Sequence, residues 1–121
     1  MNKTGLIGER IALSYLKRLG YKIIERNFRL KCGEIDIIAR DGECMCFIEV
    51  RARASNSFAE PFETVDYIKQ KKLTQAAKIW VSKHKCEDDI CRFDIVSILL
   101  DENYKMTQMR LFKDAFWDDE G

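Results

Sequence analysis

Histidine occurs only once in this chain of 121 residues, at position 84. Histidine is therefore a poor candidate for the catalytic group of this protein. We expect His84 to be a solvated residue near the C-terminal end of a helix. No apolar run approaches the roughly 18 residues of a membrane span. Residues 1–10 lack the long apolar segment of a signal peptide. We therefore expect a cytoplasmic protein without a membrane partner.

A paired cysteine motif is also missing. The chain has five cysteines, an odd number, and no two are spaced as CxxC. Cys44 and Cys46 share a strand face, and zinc binding would require Cys32, Cys86 or Cys91 to join them, at a spacing unlike that of usual zinc sites. We predict reduced, buried thiols in a reducing compartment.

Charge of one sign does not dominate, since the formal net charge is +1. The distribution is less even, because residues 51–85 hold eight basic and three acidic residues. A basic middle is compatible with a surface that binds phosphates, but it is equally typical of an ordinary solvated helix.

Length and composition indicate one domain over residues 1–121, with 46% hydrophobic residues to form its core. Periodicity predicts the order α-β-β-β-α-β-β. The predicted elements are a helix at 5–19 with Thr4 as N-cap and Gly20 as C-cap, a strand at 21–29, a hairpin at 34–52, a loop at 54–60 that contains Phe58, a helix at 63–84 after Pro61, strands at 91–100 and 104–112, and a tail at 114–121 that frays after Phe116 or Trp117 packs.

Each helix has a predicted apolar stripe that faces the sheet. The two helices would then cover opposite faces of a mixed sheet. In the first helix the stripe is Ile7, Ile11, Tyr15 and Leu19, widened by Ala12 and Leu16; in the second it is Val65, Ile68, Leu73, Ala76, Ala77, Trp80 and Val81.

The hairpin is unusual because acids occupy strand positions that look buried. Strict alternation would place Glu34 and Asp36 on one face, opposite to Ile35 and Ile37. Asp41-Gly42 is typical of a two-residue turn. With that turn, Asp36 and Glu49 become diagonal neighbours, roughly 7–8 Å apart at their Cα atoms.

Clustered acids require a compensating charge. One interpretation is a structural ion-pair network, with Arg51 as the counter-ion on the same face. The other is a divalent metal site, since carboxylates suit Mg²⁺ or Mn²⁺.

Asp36 followed by Glu49-Val50-Arg51 resembles the PD-(D/E)xK motif of restriction-endonuclease-like nucleases. More of the chain is similar to the YraN-like family of small bacterial proteins, which is regarded as distantly similar to archaeal Holliday-junction resolvases. The pieces that match are Gly8-Glu9, Ala12, Leu16, Gly20-Tyr21, Asn27, Arg29, Gly33-Glu34-Ile35-Asp36, Phe47 to Arg53, and Arg92-Phe93-Asp94.

This resemblance implies a three-layer α/β/α nuclease core and a metal-dependent endonuclease that acts on DNA, with branched or damaged DNA favoured. Asp36 and Glu49 would hold Mg²⁺ or Mn²⁺, with the backbone carbonyl of Val50 as a further ligand. Glu9, near the start of the first helix, would join the metal shell, and Gly8 would let that helix approach closely. A nuclease that cuts both strands needs two sites, which suggests a homodimer.

Arg51 departs from the nuclease motif, which has lysine at this position. Arginine stays charged and cannot serve as a general base, so Arg51 would contact the phosphate. The base would be water activated by the metal, the substrate phosphate or a lysine from elsewhere.

The second helix supplies the candidates for that lysine. Related nuclease folds often use a polar or basic residue of this helix, which suggests Lys69, Gln70 or Lys72. Arg53, Lys69 and Lys72 would also bind the neighbouring nucleic-acid backbone. The alternative interpretation is that each of these residues is an ordinary solvated side chain at the surface. Asp94 is expected to brace the sheet beside Arg92 and not to be catalytic.

Two alternatives to an enzyme remain open. The chain could be a non-catalytic nucleic-acid-binding module that retains the nuclease fold, which Arg51 favours. It could also be a protein-interaction subunit in which the acids form only an ion-pair network.

Overall fold

A computed structural model of the chain describes residues 2–55 and 66–116. The α/β class and the predicted order α-β-β-β-α-β-β are confirmed. The elements are α1 (Lys3–Arg18), β1 (Lys22–Leu30), β2 (Gly33–Asp41), β3 (Cys44–Ala54), α2 (Tyr67–Lys83), β4 (Ile90–Leu100) and β5 (Met106–Phe116).

The five strands form one sheet in the order β1-β2-β3-β4-β5. Only the β3–β4 pair is parallel among these strands, and the chain between them includes α2, as a parallel pair requires a crossover. α1 and α2 cover opposite faces, each above its own cluster of buried side chains. The predicted three-layer arrangement follows from this packing.

The helices begin and pack differently from the prediction in several details. α1 is capped by Asn2, not Thr4, because the Asn2 side chain accepts the Gly5 N–H at 2.7 Å. Leu19 follows the end of α1 and is 48% exposed, and Ile68 in the first turn of α2 is 68% exposed. Both were wrongly assigned to apolar stripes. The buried positions of α1 are Gly8, Glu9, Ala12, Leu13 and Leu16.

The hairpin turn lies one residue later than predicted. Asp41 pairs with Cys44, so the turn residues are Gly42 and Glu43. Gly42 has a φ of 60°, which glycine adopts without strain. Asp41 remains in the strand, where its carboxylate accepts a hydrogen bond from the Arg92 guanidinium at 2.9 Å. This contact helps to hold Asp41 in the strand.

A buried polar network braces the sheet around Asp94, as expected. The Asp94 side chain is fully buried and accepts hydrogen bonds at 2.9–3.2 Å from Arg92, the Tyr21 hydroxyl and the backbone N–H of Asp114. Burial, followed by the charge of Asp94, raises the pKa of Tyr21, which therefore stays a neutral donor. The network ties the start of β4 to β5 and to the residue before β1.

All five cysteines lie in described residues, and all are free. Cys46 is buried, but Cys91 is exposed, so the prediction of buried thiols is wrong for Cys91. Burial raises the pKa of Cys46 to about 12. Cys44 and Cys46 both pack against the cluster under α1, which confirms their shared face.

The C-terminal ends of α2 and β5 can be compared with the predicted ends. His84 caps the C-terminal end of α2, as predicted. Residues 114–116 belong to β5, and Phe116 stacks on Phe93 with ring centroids 4.7 Å apart. Phe58, Pro61, Val65 and residues 117–121 lie outside the described residues. Within residues 2–55 and 66–116, neither helix has the length and hydropathy required to cross a membrane.

Candidate functional site

Three carboxylates of the predicted site are buried in the fold. Glu9 in α1 is 4% exposed, Asp36 in β2 is 9% exposed, and Glu49 in β3 is 4% exposed. Carboxylates are seldom buried unless they are paired or bind a cation. The contacts of each one therefore indicate what this region can do.

A paired irregularity in β1 and β2 sets the position of Asp36. Ile35 packs in the cluster under α2, whereas Ile37 packs under α1. Residues two apart in a regular strand share a face, so the predicted strict alternation of residues 34–39 is wrong. The β1–β2 pairing runs through Arg26–Ile37 and resumes at Phe28–Ile35, and Asn27, between them, has a φ of 53°.

This irregularity lets Asp36 meet groups from both faces of the sheet. On the α1 side, Asp36 lines a cavity of about 90 Å³ together with Glu9 and Val50. Asp36 is also close enough to Glu49 for the two carboxyls to share a proton. Asp36 is thus the residue that joins the two faces.

Asp36 and Glu49 lie closer in register than predicted. The pair Ile37–Ile48, continued by one residue, places Asp36 directly opposite Glu49 and not diagonal to it. Asp36 Oδ2 accepts the Val50 N–H at 2.8 Å. Burial raises the pKa of Asp36 to about 7, and Glu49 adds to the rise through a hydrogen bond and its charge. Two buried carboxyls this close cannot both ionise without a cation.

Lys69 of α2 reaches the other side of this pair. Its Nζ lies 2.6 Å from Glu49 Oε2, an oxygen that has no other partner among the described residues. Burial acts to lower the pKa of Lys69, but the contact with Glu49 and the charges of Glu49 and Asp36 raise it overall. Lys69 therefore remains an ammonium ion against Glu49.

Glu9 is held from β1 by two side chains. Asn27 Nδ2 donates to Glu9 Oε1 at 3.1 Å, and Arg26 Nη2 approaches the same oxygen at 3.4 Å. A Cβ on Gly8 would overlap the Cβ of Ala52, so glycine lets α1 approach β3 closely here, as predicted. Asn27 Oδ1 is buried and has no hydrogen-bond partner among the described residues.

The remaining predicted site residues lie around the acids. Arg51 is half-buried in β3, and its charge opposes the rise in the pKa of Lys69, so it is near that lysine. Arg53 is half-buried two residues further along β3, opposite Leu99 of β4. Lys72 is exposed and lines a cleft together with Lys69.

Glu34 does not belong to the buried acids. Its side chain is 43% exposed, and it pairs with Arg29 at 3.1 Å. The sequence pattern placed it with Asp36 because strict alternation was assumed, and the irregularity at Asp36 removes that assumption.

The donor atoms suit a hard divalent cation bound with several waters, which is how proteins usually bind Mg²⁺. The carboxylates of Glu9, Asp36 and Glu49 offer only oxygen, and a cation would relieve the raised pKa of Asp36. In residues 2–55 and 66–116, however, no three side chains of the His, Cys, Asp and Glu types are grouped closely enough to hold a metal ion as they stand. A bound ion would require small side-chain movements, including release of Glu49 by Lys69.

Sequence reasoning missed two residues of the site, Arg26 and Asn27. Both contact Glu9, and neither was assigned a role. The available signal was Asn27 itself, because asparagine is enriched at positive φ and a strand position with asparagine can mark an irregularity.

Comparison with known proteins gives the family. Residues 8–98 match the model described as "Uncharacterised protein family UPF0102". A UPF0102 protein of Geotalea daltonii is 45% identical over 116 residues, which cover 95% of this chain and 91% of the relative. UPF0102 proteins of Clostridium kluyveri and Caldicellulosiruptor saccharolyticus are 43% and 39% identical, over 93% and 96% of this chain.

The chain belongs to the UPF0102 family. This confirms the resemblance to YraN-like proteins. The matched range of the UPF0102 model includes Glu9, Asp36, Glu49, Lys69 and Asp94, and so covers both the buried acids and the Asp94 network.

A larger cavity lies elsewhere in this UPF0102 member. Its volume is about 430 Å³, and it lies between α2 and the β4–β5 part of the sheet, over Phe47, Phe93 and Phe116. None of the predicted site residues lines it. We assign the candidate site to the smaller cavity because Glu9 and Asp36 line it and Asp36 pairs in register with Glu49 behind it.

Proposed function

We propose that this protein is a metal-dependent endonuclease that hydrolyses phosphodiester bonds in DNA. One observation carries the proposal: buried Asp36 lies against buried Glu49, whose Oε2 is 2.6 Å from the Lys69 ammonium, and Asp36 lines a small cavity with buried Glu9. A cluster of buried acids with a shifted pKa and an adjacent lysine is typical of a catalytic site. The resemblance to resolvase-like nucleases favours branched or damaged DNA.

The acids form the cation-binding part of the proposed site. Asp36 and Glu49, with the Val50 carbonyl and Glu9, would hold Mg²⁺ or Mn²⁺. When bound, such an ion supplies a more acidic water and neutralises charge on the phosphate. The same cation would allow Asp36 to ionise at neutral pH, since its raised pKa comes from burial and from Glu49.

Lys69 replaces the motif lysine, whose position in this chain is occupied by Arg51. As an ammonium ion it donates hydrogen bonds to an oxygen of the phosphate and stabilises the negative charge that develops there. Its raised pKa argues against a role as general base. Release from Glu49 would let Lys69 turn toward the substrate, because its side chain is 54% exposed.

The arginines of β3 orient the nucleic-acid backbone. Arg51 lies two residues beyond Glu49, near Lys69, and its planar guanidinium suits two oxygens of one phosphate. Arg53 continues along the same strand and would contact the next phosphate.

Calorimetry with Mn²⁺ tests the metal site first. Wild type should bind Mn²⁺, and Asp36→Asn and Glu49→Gln should each lose most of that binding. The same variants should lose cleavage of labelled branched and single-stranded DNA by about a hundredfold or more, comparable to removal of one charge-stabilising group. Absence of Mn²⁺ binding in wild type, with and without DNA, would refute the proposal.

The role of Lys69 has a sharper test. Lys69→Gln should keep Mn²⁺ binding but cut about a hundredfold more slowly. Adding Arg51→Lys to Lys69→Gln should restore part of the activity, because it returns a lysine to the motif position. Lys83→Gln, an exposed lysine at the other end of α2, is the matched control and should cut like wild type. Equal losses of cleavage rate in Lys69→Gln and Lys83→Gln would exclude a catalytic role for Lys69.

A non-catalytic nucleic-acid-binding module is the second candidate. It is favoured by the absence, among the described residues, of three ligand side chains already grouped for a metal ion. This alternative predicts DNA binding that neither Mn²⁺ nor Asp36→Asn changes.

We also propose that the protein is cytoplasmic. Five free cysteines suit the reducing cytoplasm. Cleavage of both strands of a branched substrate would require two copies of the site, and therefore a homodimer.

A further inference from the structure

A cleft adjoins the candidate site on its α2 side. Its volume is about 380 Å³, and it opens between the first turns of α2 and the start of β2. Lys69 lines this cleft and also contacts Glu49, so this one side chain links the cleft to the buried acids. The lining residues are Gly33, Glu34, Asp66, Ile68, Lys69, Lys72 and Leu73.

Glycine at position 33 allows β2 and α2 to approach closely where both line the cleft. A Cβ on Gly33 would lie 2.8 Å from the backbone oxygen of Lys72, which is closer than real Cβ atoms approach. The absence of a side chain therefore lets α2 lie directly on the start of β2.

The acids of the cleft already have partners. Asp66 caps α2 by accepting the Lys69 N–H at 2.8 Å, and Glu34 pairs with Arg29 at 3.1 Å. The Lys72 ammonium is therefore the charge available to a ligand, joined by Lys69 when it is released from Glu49, and both favour an anion. The positive end of the α2 dipole has the same sign.

The mouth of the cleft is apolar as well as basic. Ile68 is 68% exposed, and the preceding residue, Tyr67, is 62% exposed. Ile68 is the residue whose burial the sequence pattern predicted wrongly. Adjacent exposed apolar side chains rimmed by polar residues are one mark of a ligand-binding groove.

We propose that this cleft receives one unpaired nucleotide of DNA next to the phosphate that is cut. This inference rests on the function proposed above. A base offers an apolar face to Ile68, and the adjoining phosphate lies between Lys69 and Lys72. The cleft volume falls in the roughly 300–1,000 Å³ range of small-molecule sites. A base can enter only when it is unstacked, so the cleft selects unpaired nucleotides over intact duplex.

Binding measured without cleavage tests this selection. The probe is a fluorescent duplex with one unpaired nucleotide, compared with the fully paired duplex by anisotropy, using the Asp36→Asn chain. Ile68→Ala in that chain should weaken binding of the unpaired probe about fivefold and leave the paired duplex unchanged. Ile79→Ala is the matched control, because Ile79 is an exposed isoleucine of the same helix outside the cleft lining.

Lys72→Gln should act differently from Ile68→Ala. It should weaken binding of both probes and reduce the slope of log affinity against log salt by about one. Equal affinity of Asp36→Asn for the two probes would overturn the inference, as would equal effects of Ile68→Ala and Ile79→Ala. Wild type in EDTA should repeat the comparison, in case Asp36→Asn is poorly folded. Selective binding without any cutting would support the cleft and refute only the catalytic proposal.

Discussion

Asp36 and Asp94 are both buried aspartates in neighbouring parts of one sheet, and their surroundings are opposite. Asp94 is fully buried, with the Arg92 guanidinium, the Tyr21 hydroxyl and a backbone N–H all donating to it. Asp36 accepts one hydrogen bond from a backbone N–H and lies against a second carboxyl, that of Glu49.

The difference separates a structural acid from a candidate functional one. The charge of Asp94 is compensated within the fold, so its removal should cost stability and leave the acid cluster intact. Asp36 is held at a cost, because burial and Glu49 both disfavour its charge. A buried acid whose pKa is strongly shifted by burial and a neighbouring charge is a candidate functional residue.

The largest effect on stability is expected at Asp94. Asp94→Ala should lower the free energy of unfolding by about 3–5 kcal/mol, because it removes one partner of a buried ion pair and leaves Arg92 under-compensated. Asp36→Asn should change it by less than about 1 kcal/mol or raise it, since the amide oxygen can still accept the Val50 N–H. Urea denaturation of the two variants and of wild type measures both changes in the free energy of unfolding.

Asp94→Asn sharpens this comparison because it keeps the shape and loses only the charge. It should fall between wild type and Asp94→Ala. If Asp36→Asn were as destabilised as Asp94→Ala, then Asp36 would be a bracing residue, and the contrast between the two acids would be wrong.

The next effect concerns pH. Folded Asp36 keeps its proton to about pH 7, whereas an aspartate in an unfolded chain releases it near pH 4. Between these values the folded state binds more protons, so the free energy of unfolding falls as the pH rises. Wild type should therefore lose stability relative to Asp36→Asn between about pH 4 and pH 8, by an amount on the order of a few kcal/mol.

A cation should remove that pH dependence. Glu49 and Lys69 act on Asp36, and Glu9 lines the same cavity. Mg²⁺ or Mn²⁺ bound there would favour the ionised acid at neutral pH. Adding either ion should bring the pH dependence of wild type toward that of Asp36→Asn, as measured by thermal unfolding across the same range. A wild type that is insensitive to both pH and metal would contradict the pairing of Asp36 with Glu49.

The sequence predicted the order of the elements better than the geometry of the acids. Element order followed from hydrophobic periodicity. The predicted turn was one residue too early, which shifts the facing partner of each residue by two positions. A shift of two positions keeps every side chain on the same face of the strand. Asp36 and Glu49 therefore remained neighbours. The error changed their relation from diagonal to opposite.

The remaining errors come from effects that local patterns do not contain. Asn27 adopts positive φ where β1 pairs with β2, and this breaks the alternation that placed Glu34 with Asp36. The contact of Lys69 with Glu49 depends on how α2 crosses the sheet, which the close approach at Gly33 helps to set. The residue type of Lys69 suggested it as a candidate, but only tertiary packing distinguishes it from Lys72.

The smallest effect is expected at Glu34, the acid that alternation placed wrongly. Its pair with Arg29 lies at the surface, and exposed pairs of this kind contribute about 0–1 kcal/mol. Glu34→Gln should therefore change the free energy of unfolding by less than about 1 kcal/mol and leave Mn²⁺ binding unaltered, whereas Glu49→Gln, the same chemical change in a buried acid, should abolish that binding. Calorimetry and urea denaturation on this matched pair compare an exposed with a buried glutamate in one sheet. Loss of Mn²⁺ binding in Glu34→Gln would return Glu34 to the acid cluster and show that the irregularity at Asp36 does not separate them.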